Sequence, residues 1–134
     1  VTIPEIGTIA ATSRPIVILT SNRTRELHDA LKRRCLYTWI GFPDTERETE
    51  IVRTRLPAIS AELTAQVVRA VQRLRAMDLE KTPGIAETID WAEGVAALGE
   101  DTLTMDVALD TLGAIVKDRD DVDYAARSIQ DVIR

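Results

Sequence analysis

Four consecutive apolar side chains, Ile16, Val17, Ile18 and Leu19, give way at Thr20, Ser21 and Asn22 to polar residues. An unbroken run of this kind predicts a strand covered on both faces, as in a parallel sheet. Ahead of it, β-branched stretches interrupted by Pro4-Glu5-Ile6-Gly7 and Thr12-Ser13-Arg14-Pro15 predict a short hairpin that pairs residues 1–3 with residues 8–10. Behind it, "RELHDALKRR" places Leu27 and Leu31 at i,i+4 spacing and predicts a short helix. "CLYTWIGFP" is aromatic and β-branched up to Pro43 and reads as a second sheet-like stretch. Strand, helix and strand over residues 15–42 make one α/β unit, too little for a complete sheet.

From Asp44 the period becomes helical. "DTERETEIVRTRL" holds Thr45 and Glu48 in capping-box register and is bounded by Pro57. "SAELTAQVVRAVQRLRAM" begins at a Ser60 cap and sets Leu63, Val67, Val71 and Leu74 on one stripe. "TPGIAETIDWAEGVAAL" predicts a helix with Thr82 as cap and Pro83 at the first helical position. Its inner face is Ile85, Ile89, Ala92 and Ala96, and it stops before Gly99. "TMDVALDTLGAIV" and "DVDYAARSIQDVI" supply two more amphipathic helices, parted by a charged turn at residues 117–121. The pattern divides the chain into an α/β portion, residues 1–43, and a bundle of four or five helices, residues 44–134. The fold class is α+β.

Charge sharpens this division. The net charge is -5, yet residues 1–40 carry six Lys/Arg against three Asp/Glu, and residues 41–134 carry eleven against nineteen. A local cationic patch on an acidic body suits a discrete anionic ligand better than a nucleic acid, which would require a broad basic face. One cysteine (Cys35) and one histidine (His28) exclude a disulfide or an ordinary Cys/His zinc site. No apolar run reaches transmembrane length, and no signal-peptide pattern follows Val1. These features point to a reducing compartment, the cytoplasm. A chain opening with Val in mid-strand reads as a segment of a longer product. Its strand over residues 15–20 would then lack neighbours and favour dimers or swapped pairing in isolation.

Three places offer chemistry. Asn22, where the buried strand emerges, can orient a water or bond a phosphate oxygen, because its amide both donates and accepts; it can equally cap the following helix. Arg33 and Arg34 end the short helix, where cations complement the helix dipole. Their planar guanidinium groups are also shaped to fork onto phosphate. Lys81 precedes the Thr82-Pro83-Gly84 helix start, whose N–H groups can receive an anion or simply belong to a well-capped helix. Trp39 and Trp91 read as core anchors, Cys35 as a half-buried strand residue and His28 as a helix-surface residue.

"PIVILTSNRTRELHDALKRRCLYTWIGFP", followed by a bundle containing "KTPGIAETIDWA", resembles the C-terminal portion of MoxR-type AAA+ ATPases. The similarity is greatest to the branch associated with carbon monoxide dehydrogenase maturation. The resemblance implies the last strands of an AAA+ α/β sheet, a hairpin ahead of sensor one, and a helical lid over residues 44–134. It implies that Asn22 is the sensor-one residue beside the γ-phosphate. Arg34 would be the arginine finger reaching a neighbouring subunit's nucleotide, with Arg33 as its competitor one residue away. Many AAA+ lids carry a second-sensor Arg near a helix start; here the sequence is Lys81-Thr82-Pro83-Gly84, and Lys81 would substitute. The parent would bind ATP and Mg, form a ring (a hexamer) and remodel a metalloenzyme client, with a von Willebrand A-type partner. The alternative from another class is a non-enzymatic helical interaction module.

The chain holds neither a G-x-x-x-x-G-K-[ST] loop to cradle phosphates nor an apolar strand ending in Asp-Glu to hold magnesium. The 134-residue chain alone is therefore expected to hydrolyse no ATP. Phosphate release above the buffer rate from a magnesium-replete sample would contradict this.

Overall fold

The computed structural model describes residues 2–5, 7–8, 13–14, 16–21 and 29–134. They form two compact units, Val1–Trp39 and Ile40–Arg134.

In the first unit, β1 (Thr2–Ile3) pairs antiparallel with β2 (Gly7–Thr8), Thr2 opposite Thr8 and Ile3 opposite Gly7. A hairpin is thus present over two residue pairs, with its second strand starting at Gly7, one residue earlier than expected, and residues 9–10 of the expected strand lying outside the described residues. Gly7 takes a φ of 87°, a left-handed conformation that a side chain would disfavour. α1 covers Asp29–Lys32, and the rest of the expected helix, with His28, lies outside the described residues. The two expected strands are not formed. Residues 16–20 and 36–42 have no strand pairing, and β1–β2 is the only sheet among the described residues. Ile16, Ile18, Leu36 and Ile40 are almost fully exposed. An apolar strand needs hydrogen-bonding neighbours and a covering layer on each face; the described residues supply neither. Trp39, expected in a core, is 62% exposed and meets Tyr37 edge-on at 5.0 Å between ring centroids. Cys35 is exposed rather than half-buried.

The second unit is all helix: α2 (Thr45–Arg55), α3 (Ala61–Ala76), α4 (Ile85–Ala97), α5 (Met105–Ile115), α6 (Arg119–Arg127) and α7 (Ile129–Ile133). α3 is central. Its predicted stripe of Leu63, Val67, Val71 and Leu74 is buried, along with Val68 and Ala70, and it packs against α2, α4 and α7. Each such aliphatic side chain contributes about 1.5–3 kcal/mol when fully buried. Ser60 caps α3 as its sequence predicts, accepting from the Leu63 N–H at 3.0 Å.

Four local expectations are not met. α2 is capped by Asp44, which accepts from the Arg47 N–H at 2.8 Å. Glu48 serves no cap because its carboxylate is drawn into the interior. α4 starts at Ile85 with Gly84 as its cap residue, two residues later than Thr82. The preceding linker is held out of the helix: Asp121 accepts from the N–H groups of Glu80 and Lys81, and Arg75 Nε donates to the Pro83 carbonyl. The buried face of α4 is also rotated, to Thr88, Trp91, Ala92 and Val95. Trp91, fully buried, sets that rotation by donating from Nε1 to Thr111 Oγ1 on α5 at 2.7 Å. Finally, the single helix expected over residues 121–133 is two, broken at Ser128, so that Ile129 and Val132 reach the core.

One polar cluster sits inside this apolar unit. Glu48 of α2 is fully buried, and both carboxylate oxygens are saturated. Oε1 accepts from Arg75 Nη2 at 2.7 Å and from the Thr88 hydroxyl at 2.7 Å; Oε2 accepts from Arg75 Nη1 at 2.6 Å and from Gln72 Nε2 at 2.7 Å. The Arg75 side chain is only 6% exposed, and its guanidinium lies over the Phe42 ring, 4.4 Å from the centroid. A buried carboxylate loses several kcal/mol of hydration, which only such complete pairing offsets. Glu48→Ala would leave the Arg75 cation buried without its partner. It is expected to destabilise the helical unit by about 3–5 kcal/mol, read from the urea midpoint of helical circular dichroism. A change below about 0.5 kcal/mol, the scale of a surface substitution, would contradict this.

Candidate functional site

The sequence-predicted residues fall in both units. Asn22 lies outside the described residues. Arg33 and Arg34 occupy the turn that closes α1, the Arg33 N–H donating to the Asp29 carbonyl at 3.1 Å and the Arg34 N–H to the Leu31 carbonyl at 3.0 Å. Both residues are exposed, and among the described residues neither guanidinium makes a hydrogen bond or ion pair. Lys32, by contrast, pairs with Asp29 one turn back at 3.7 Å. Two unpaired planar cations on one exposed turn can each fork onto a phosphate or a carboxylate.

Lys81, Thr82 and Gly84 belong to the other unit, in the linker before α4. The side chains of Lys81 and Thr82 are exposed. Two of the backbone donors around them are occupied by the chain itself. The Lys81 N–H donates to Asp121 Oδ2 at 3.0 Å and the Gly84 N–H to Glu87 Oε2 at 3.0 Å. A Cβ added at Gly84 would stand 2.8 Å from that Glu87 oxygen, so glycine lets the carboxylate close over the helix start. An anion approaching this turn meets the exposed Lys81 ammonium.

Sequence reasoning missed the cluster of Glu48, Gln72, Arg75 and Thr88. Its signal was a charged residue on an apolar stripe: Glu48 lies one turn before buried Val52, and Arg75 one turn after buried Val71. Asp121, 4% exposed, is a second case, read from sequence as part of a charged turn and found joining α6 to the linker before α4. Among the described residues no group of three or more His, Cys, Asp or Glu is placed to hold a metal ion. No helix there is long and apolar enough to cross a membrane.

The chain is 31% identical over 124 residues to the gas vesicle ATPase GvpN of Haloferax mediterranei, a match covering 87% of this chain and 35% of that protein. It is 36% identical over 124 residues to the gas vesicle ATPase GvpN2 of Halobacterium salinarum, covering 87% and 34%. No family model matches the chain, and no solved structure matches it.

Asp121→Ala would strip an acceptor from two backbone donors, and is expected to cost about 1–3 kcal/mol in urea denaturation. Lys81→Ala, an exposed change, is expected to stay within about 0.5 kcal/mol. Equal losses from both would contradict the assignment of the linker's anchoring to Asp121. The chain spans about a third of the length of the curated relatives it matches, and over most of its own length it is homologous to gas vesicle ATPases.

Proposed function

We propose that the chain is the C-terminal region of a MoxR-type AAA+ ATPase, contributing sensor one, an arginine finger and a helical lid to a cytoplasmic ring, a hexamer. The similarity to two gas vesicle ATPases over 124 residues carries this reading. The second unit supports it, being compact and helical, as the resemblance implies for a lid.

In this reading Asn22 faces the γ-phosphate in its own subunit. Arg34, with Arg33 as the neighbouring register, reaches the nucleotide of the next subunit, where a guanidinium stabilises the charge of phosphoryl transfer. The exposure of both arginines, and their lack of partners among the described residues, suit a group that acts on another chain. Lys81 approaches the nucleotide through its ammonium, with Thr82 and Gly84 shaping the turn that presents it. ATP with Mg, bound by the parent, supplies the phosphoryl group whose transfer drives remodelling. The magnesium ligands belong to the parent outside this chain. The relatives direct the client towards gas vesicle proteins. The resemblance to the carbon monoxide dehydrogenase maturation branch directs it instead towards a metalloenzyme, with a von Willebrand A-type partner.

In the native full-length protein, Arg34→Ala is expected to lower kcat by about 10³-fold or more while leaving the subunits assembled. Mixing these subunits with others whose phosphate-binding loop is disabled should restore part of the activity, because one mixed interface then joins an intact loop to an intact Arg34. No recovery at any ratio, with co-assembly demonstrated, would refute action between subunits.

A further inference from the structure

Lys81 and Thr82 stand exposed on the linker before α4, between two anchored neighbours. Ahead of them the Leu79 side chain is buried in the core. Asp121 then takes the N–H groups of Glu80 and Lys81, one on each carboxylate oxygen, both at 3.0 Å. Behind them Pro83 is buried, and its carbonyl accepts from Arg75 Nε at 2.8 Å. Neither pin is soft. Arg75 is itself held by the buried Glu48 carboxylate, and Asp121 lies in the first turn of α6, where the helix dipole favours a negative charge. A carboxylate leaves water only at a cost. This one pairs with no cation among the described residues and serves two backbone donors of an exposed crest instead. What the crest carries outward is an ammonium. Among the described residues Lys81 Nζ makes no hydrogen bond or ion pair.

We propose that Asp121 is a positioning residue for nucleotide binding: by fixing the backbone at residues 80 and 81 it places the Lys81 ammonium for the phosphates of a nucleoside triphosphate. With both N–H groups held, the ammonium explores only its own side-chain rotamers, so less freedom is lost when a phosphate meets it. A compact, strongly hydrated ammonium acts on phosphate as a point charge and has no fork to orient it. Its placement therefore comes from the backbone that carries it. The inference rests on the ATPase reading and on Lys81 as the lid's contact with nucleotide, and it adds the side chain that sets that contact from α6, 40 residues along the chain.

The test is a mutant cycle on the native full-length protein, read as KM for MgATP. Lys81→Ala and Asp121→Ala are each expected to raise KM about tenfold, with kcat moved less. The double variant is expected to raise it no further, because without the ammonium Asp121 has nothing left to place. A carboxylate with a merely structural role would act alike whether or not Lys81 is present. Asp121→Asn, which keeps one carbonyl acceptor, is expected to fall between wild type and Asp121→Ala; if Asp121→Ala does not fold, Asp121→Asn takes its place in the cycle. Losses that multiply in the double variant, or a KM unmoved by the Asp121 substitutions while the wild type turns over, would overturn the inference and leave the ATPase reading intact. A full-length wild type that turns over no MgATP would overturn both.

Discussion

A carboxylate without water is the constraint around which the helical unit is arranged. Glu48 presents two oxygens to an interior that offers no solvent, and each must receive donors from elsewhere in the chain. Those donors come from α3 and α4, so the three helices can satisfy the charge only in one mutual register. Apolar packing alone tolerates sliding, since one aliphatic contact resembles another. A bidentate ion pair does not, because the guanidinium fork and the carboxylate must be coplanar and in line. Its contribution is therefore to geometry as much as to stability. The same guanidinium, by covering Phe42 and bonding Pro83, fixes the approach to α2 and the linker before α4.

This rigidity sets off the arginines of the other unit. Arg75 is immobilised by four polar contacts and a ring, whereas Arg33 and Arg34 stand exposed on a turn without such partners among the described residues. The chain thus uses one residue type for two opposite purposes. A buried arginine orients helices, and exposed arginines remain available for an anion. In the proposed ring, separating these roles keeps the lid's internal architecture independent of whether a neighbouring nucleotide is engaged.

Much of the bundle was legible because it obeys local rules. The α3 stripe and the Ser60 cap follow from spacing and side-chain chemistry within one turn, and both are present. What failed depended on partners distant in sequence. Glu48 looked like a capping-box member because Thr45 stands three residues earlier; its actual partner is 27 residues away. The start of α4 moved from Thr82 to Gly84 because Asp121, 40 residues on, captured the Lys81 N–H. The apolar run Ile16–Val17–Ile18–Leu19 was read correctly as hydrophobic, but a strand is a property of pairs, and no pairing partner stands beside it among the described residues. The exposure of Arg33 and Arg34 was legible from their place at the end of a short charged helix. Glu87's occupation of the Gly84 N–H was not, although the i,i+3 spacing carried that signal.

The most direct measurement is a double-mutant cycle on the pair, comparing Glu48→Leu, Arg75→Met and the combined variant by urea denaturation. The account predicts coupling of about 2–3 kcal/mol, with the combined variant more stable than either single one, since each single change strands a buried charge. Additive losses, with coupling below about 0.5 kcal/mol, would show that the helices find their register without this contact and would contradict the account.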